Sequence, residues 1–130
     1  MANTIKKPLG EVCRKPYGVP VDGGELRCCE PTKEEILEAI AANSLERRAY
    51  QDHPEKLLEE WIKNARGNDE IVANARRYHA KRAAWFAVNR PWEPIKLKND
   101  GREIADGSHR YLAAWALNEA TIEVEDDDPA

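Results

Sequence analysis

At 130 residues, with 42% apolar and 34% charged residues, the chain suits a single helix-rich domain with a modest core and a heavily charged surface. No apolar run approaches a membrane span and the polar N-terminus has no signal-peptide core, so the expectation is a cytoplasmic protein with no membrane contact. The net charge of −4 argues against a broadly cationic nucleic-acid binder but hides an asymmetry: Ile71 to Arg90 holds five Lys/Arg and no acid, and Glu119 to Asp128 six acids and no base.

Residues 1–31 are rich in Pro and Gly, and Lys7-Pro8, Lys15-Pro16, Val19-Pro20 and Glu30-Pro31 impose extended or turn conformations. Val19-Pro20-Val21 and Glu25-Leu26-Arg27-Cys28 flank Asp22-Gly23-Gly24, which reads as a loose β-hairpin. Cys13, Cys28 and Cys29 are an odd number without paired zinc spacing, so they read as structural or incidental thiols and no metal site is expected.

Thr32-Lys33-Glu34-Glu35 is a capping box, and Ile36, Leu37, Ile40 and Ala41 predict an amphipathic helix over 33–43. Asn43-Ser44 either ends this helix or caps a short next one around Leu45 to Tyr50. Asp52-His53-Pro54-Glu55 opens another helix with Pro in its first turn; Leu57, Leu58, Trp61, Ile62 and Ala65 form its apolar side, and Arg66-Gly67 is expected to close it. Asn68 or Asp69 then caps a third helix, with Ile71, Val72, Ala75, Tyr78, His79, Ala83 and Phe86 inward. Arg76, Arg77, Lys81 and Arg82 lie mostly elsewhere around it. They form either a solvated face or a face for nucleic-acid phosphates. Arg90-Pro91-Trp92-Glu93-Pro94 breaks the helix.

Pro94 to Leu97 and Arg102 to Ala105 read as strands joined by the Asn99-Asp100-Gly101 turn. Asp106-Gly107 then makes a tight turn, Ser108 is a natural N-cap, and Leu112, Trp115 and Ala116 recur at helical spacing. Thr121 to Val124 alternates like a strand, and Asp126-Asp127-Asp128 reads as a disordered acidic end. A helix N-terminus after a glycine turn is a plausible phosphate seat, although strand, turn and helix is also ordinary punctuation. Arg110 is suited to grip a phosphate and His109 to carry a proton. Ser108 can cap, bind phosphate or act as an acceptor; Asp106 can orient His109, bind Mg²⁺ or bond the turn backbone.

Asp106-Gly107-Ser108-His109-Arg110, the Ala-rich helix after it and Ala120-Thr121-Ile122-Glu123-Val124 resemble the ParB/sulfiredoxin-like superfamily over about residues 92–125. Its members open a helix with a Gly-x-His-Arg or Gly-x-Arg-Arg turn that holds nucleotide phosphates. The resemblance implies a small mixed β-sheet with packed helices, one domain over 1–130, a helical insertion at about 45–90 and an acidic end at 123–130. It also implies cofactor binding by Gly107, Ser108, His109 and Arg110, with ATP or ADP and Mg²⁺ as ligands. His109 and Asp106 would be the catalytic residues, with Glu30 at the position where related serine kinases carry an acid before the first helix.

Departures from the family narrow the expectation. Sulfiredoxins have a reactive Cys where this chain has Ser108, so sulfinate repair is not expected. No second phosphate motif or DNA-binding helical domain follows, so a full partition protein is not expected either. Two function classes remain. One is a nucleotide-binding enzyme of phosphoryl transfer or hydrolysis, an ATPase, nuclease or kinase-like accessory factor of a phage or plasmid. The other is a non-catalytic protein that keeps the fold and uses its added helices to bind or inhibit a protein partner.

Overall fold

A computed structural model describes residues 3–12, 17–21, 23–27, 29–90, 92–98 and 103–126. The class is mixed α and β: among the described residues there are four α-helices and small antiparallel sheets. The chain divides into two compact units, one formed by residues 1–15 and 86–130, the other by residues 16–85. None of the helices described is long and apolar enough to cross a membrane.

In the unit built from the chain ends, β1 (Asn3–Pro8) pairs antiparallel with β6 (Thr121–Asp126), and β4 (Lys96–Lys98) with β5 (Glu103–Asp106). The β1 strand is absent from the sequence expectation because its six residues carry a single large aliphatic side chain, Ile5, and no alternating pattern. Its pairing is specified by β6, whose buried Ile122 and Val124 alternate with Glu123 and Glu125. Lys6 lies opposite Glu123, a favourable cross-strand charge pair. The strands form antiparallel pairs in place of one mixed sheet; the parallel element is a bridge between Ile95 and Val124, in which Ile95 N–H donates to Glu123 C=O at 3.1 Å and Glu125 N–H to Ile95 C=O at 2.9 Å. The Asn99-Asp100-Gly101 turn, Arg102, Pro91 and Asp127-Asp128 lie outside the described residues.

The helix after β5, α4 (Ser108–Ala116), packs into a core of Val12, Ile95, Ile104, Ile122 and Val124. Tyr111 and Ala114 are its buried contributions, and half-buried Trp115 packs against the same cluster. Leu112 is fully buried as expected but does not belong to that cluster; the helix meets the strands one position earlier than the spacing suggested. Tyr111 Oη–H donates to Leu9 C=O at 3.0 Å, tying α4 to the residue that follows β1.

In the other unit, β2 (Val19–Val21) and β3 (Gly24–Leu26) form the expected hairpin; Asp22 and Cys28 lie outside the described residues, as does Cys13 of the first unit. The capping box holds at α1 (Lys33–Ala41): Glu35 N–H donates to Thr32 Oγ1 at 3.1 Å, and Thr32 N–H to Glu35 Oε1 at 2.9 Å. Its inward residues are Ile36 and Ala39, while Leu37 stays exposed. Helix α2 (Pro54–Lys63) starts at the predicted Pro and buries Leu57 and Trp61. It ends four residues before Gly67, and Gly67 serves the next element instead. Gly67 C=O accepts Ile71 N–H at 3.2 Å, so this glycine caps α3 (Asn68–Val88), where Asn68 or Asp69 was expected. Arg66 N–H donates to the Glu70 carboxylate beside it.

Of the two alternatives at Asn43-Ser44 the structure takes the first: the pair ends α1, and no short helix forms at Leu45 to Tyr50. The backbone groups of that segment are bonded to α3: Glu46 N–H donates to Lys81 C=O at 3.1 Å, and Arg82 donates to the carbonyls of Glu46 and Arg47 at 3.3 and 2.8 Å. Tyr78 Oη–H donates to Arg48 C=O at 2.8 Å, and burial pushes the phenol up to about 12. Arg48 bridges Glu46 and Glu60 at 2.8 and 2.6 Å, which raises its own affinity for a proton. The core holds buried Val19, Cys29, Leu57, Trp61, Ile71, Ala75 and Tyr78. Against Trp61 and Tyr78 lies His79, whose ring stacks on Tyr17 at 3.8 Å; burial in this aromatic nest pushes its pKa down to about 3.

Candidate functional site

The turn from β5 into α4 is shaped by Gly107. Its φ is +112°, and a β-carbon there would lie 2.4 Å from Ile95 Cγ2 and 2.7 Å from Ile95 Cβ. Ile95 is almost fully buried, so only glycine satisfies both the backbone angle and the contact. Gly107 itself is the N-cap, and no side chain caps the helix. Ser108 is the first helical residue, which removes the capping role expected of it.

Arg110 departs furthest from the expectation. A phosphate-gripping guanidinium has to face an open site, yet Arg110 is 8% exposed and points back into its own unit. Its Nη1 donates to the carbonyls of Glu93 and Pro94 at 2.7 and 3.2 Å, and Nη2 reaches Asp106 Oδ2 at 3.3 Å. The guanidinium also lies 5.9 Å from the Phe86 ring centroid. Arg110 thus fastens the chain ahead of β4 to the helix start, with Asp106 as its partly exposed counter-ion. A cation in the first turn opposes the helix dipole; here the backbone carbonyls of Glu93 and Pro94 and the Asp106 carboxylate compensate it.

His109, half-buried, completes the first turn, so Asp106, Gly107, Ser108, His109 and Arg110 do share one small region. Glu30 is not part of that unit. It lies ahead of α1 in the residue 16–85 unit, where its carboxylate accepts Tyr17 N–H at 3.2 Å. Among the described residues, no group of three or more His, Cys, Asp or Glu is arranged to hold a metal ion.

The basic face of α3 is also partly committed. Arg76 pairs with Glu35 at 2.6 Å, and Arg82, besides its two carbonyls, lies 4.9 Å from the Trp85 ring centroid. Burial pushes Glu35 up, but hydrogen bonds from Arg76 and Thr32 together with the Arg76 charge hold its carboxyl below the ordinary value. Arg77 donates to Asn74 Oδ1 at 3.2 Å on the exposed side. The carbonyls of Glu93 and Pro94 were missed in the sequence reading because a backbone acceptor has no side-chain signature.

Comparison with protein-family models, with curated proteins and with solved structures found no match.

Proposed function

We propose that this is a non-catalytic binding protein: a ParB/sulfiredoxin-like unit of the two chain ends, its turn used for structure, with the helical residues 16–85 supplying the recognition surface. The order β5, glycine turn, α4 and β6 within one unit supports the likeness. The observation that carries the binding reading is the inward Arg110. A guanidinium already donating to two carbonyls and a carboxylate would have to break these bonds to hold a phosphate. Each charge-assisted bond contributes about 1.5–3 kcal/mol, so a nucleotide would have to supply that energy before it gained any affinity.

A second reading, nucleotide binding at the turn, is favoured by the absence of a side-chain cap on α4. Isothermal titration of the wild-type protein with ATP, ADP, CTP and GTP, with and without Mg²⁺, separates the two. The binding-protein reading expects no heat at millimolar nucleotide. Saturable binding of any of the four, lost on Arg110→Ala in a protein that remains folded, would replace it with the nucleotide reading.

A further inference from the structure

Within residues 16–85, α1 and α3 enclose a cleft of about 460 Å³, within the size range of small-ligand sites. Its floor is apolar and shallow, formed by Ala39 and Ala80. The Arg76–Glu35 pair closes it at one end and is electrically spent. At the other end is Ser44, held where Ser44 N–H donates to Ala39 C=O at 2.8 Å and Glu46 N–H to Lys81 C=O at 3.1 Å. These two backbone bonds fix the Ser44 end of the cleft.

The remaining charges are arranged by sign. Arg77 and Lys81 come from α3, one turn apart on the same face, a like-charge pair that disfavours the helix slightly. Glu38 comes from α1. Among the described residues, the side chains of Glu38 and Lys81 form no hydrogen bond or ion pair, and the Arg77 guanidinium bonds the neutral Asn74. Elsewhere in the chain the arginines that meet acids do so closely, as Arg48 and Arg90 show. Here two cations and one carboxylate line a single cleft and do not pair.

We infer that this cleft binds a short acidic peptide or acidic amino acid, with the ligand's ammonium on Glu38, its two carboxylates on Arg77 and Lys81, and its aliphatic carbons over Ala39 and Ala80. One ammonium and two carboxylates answer the lining charge for charge. The assignment rests on the binding-protein reading and supplies it with a ligand class.

The probe is alanylglutamate, followed by isothermal titration and by amide chemical shifts of the intact protein. Saturable binding with shifts at Ala39, Ser44 and Ala80 is expected. Arg77→Gln and Lys81→Gln should each weaken it about tenfold, the equivalent of about 1.4 kcal/mol. Glu38→Gln should weaken alanylglutamate similarly and not weaken glutarate, which has no ammonium and loses a repelling carboxylate. All three positions are at the surface of the cleft, and unchanged circular dichroism confirms that the variants fold. No binding of alanylglutamate, binding unaffected by the Arg77→Gln/Lys81→Gln double variant, or tighter binding of glutarate than of the peptide would each overturn the inference. Failure of the binding-protein reading has a separate readout, saturable nucleotide binding by the wild-type protein that is lost on Arg110→Ala, which none of these peptide titrations measures.

Discussion

Gly107 sits against Ile95 so closely that a β-carbon at position 107 would fall 2.4 Å from Ile95 Cγ2. The turn into α4 and the bridge that joins Ile95 to Val124 are therefore set by one contact. Gly107→Ala should cost about 1–2 kcal/mol for the left-handed backbone and about 1–3 kcal/mol more for overpacking against an immobile side chain. Urea unfolding measures the loss. Ile95→Ala removes Cγ2 but keeps Cβ, 2.7 Å from the added β-carbon, so the double variant should recover only part of the overpacking cost and lose somewhat less than the two single losses summed. Strict additivity would show that the contact does not set the turn.

Arg110→Ala tests whether that arginine serves the fold. It strips donors from the carbonyls of Glu93 and Pro94, with an expected destabilisation of about 1.5–3 kcal/mol. Asp106→Asn should cost less than about 1 kcal/mol, because Asp106 is 51% exposed and its pair with Arg110 spans 3.3 Å. Equal losses from the two substitutions, or stability unchanged by Arg110→Ala, would contradict the structural assignment.

The reach of the sequence can be judged at these same residues. Thr32 with Glu35, Pro54, and Gly107 were legible because caps, first-turn prolines and left-handed glycines act within a few residues of themselves. The direction of Arg110 was not. The residue type suits a phosphate and a pair of carbonyls equally, and its partners lie 16 and 17 positions away. The choice between the two alternatives at Asn43-Ser44 stayed open for the same reason, since Arg82 and Tyr78 claim the carbonyls of the segment at Leu45 to Tyr50 from 30 to 36 residues further on. Gly67 was assigned to the wrong helix because a glycine between two helices can end one or begin the next. In the candidate cleft, Arg77 and Lys81 were visible as a basic face, whereas the apposition of Glu38 depends on how α1 packs on α3.

His79 gives a pH dependence whose sign follows from its environment. Burial among Tyr17, Trp61 and Tyr78 lowers its folded-state pKa from 6.5 to about 3. The unfolded chain therefore takes up a proton first. The contribution of the neutral ring is complete above pH 6.5, declines as the pH falls below that, and is gone below about pH 3. Between pH 6 and 5 the slope should approach about 1.4 kcal/mol per pH unit for a single proton. The carboxyls of Glu35, Glu46 and Glu60, all held low, add their own loss only below their ordinary value of 4.5. Urea midpoints across this window should flatten in His79→Phe, which keeps a ring beside Tyr17. A variant with the wild-type slope would show that His79 is not the source of the effect.

The basic face of α3 can be tested against nucleic acid by salt dependence alone. Arg76 is paired with Glu35, and Arg82 is tied to the carbonyls of Glu46 and Arg47, leaving Arg77 and Lys81 for phosphates. Each phosphate contact releases counterions and steepens the dependence of log affinity on log salt by about 0.9. Two contacts give a slope of about −2, and affinity should then fall about tenfold between 50 and 200 mM salt. Fluorescence anisotropy with single- and double-stranded DNA measures it directly. Binding should be weak at low salt, and its slope should vanish in the Arg77→Gln/Lys81→Gln double variant. A slope near −4 would mean that Arg76 and Arg82 abandon their internal partners for DNA, and the basic face would then be a nucleic-acid interface in place of a solvated one.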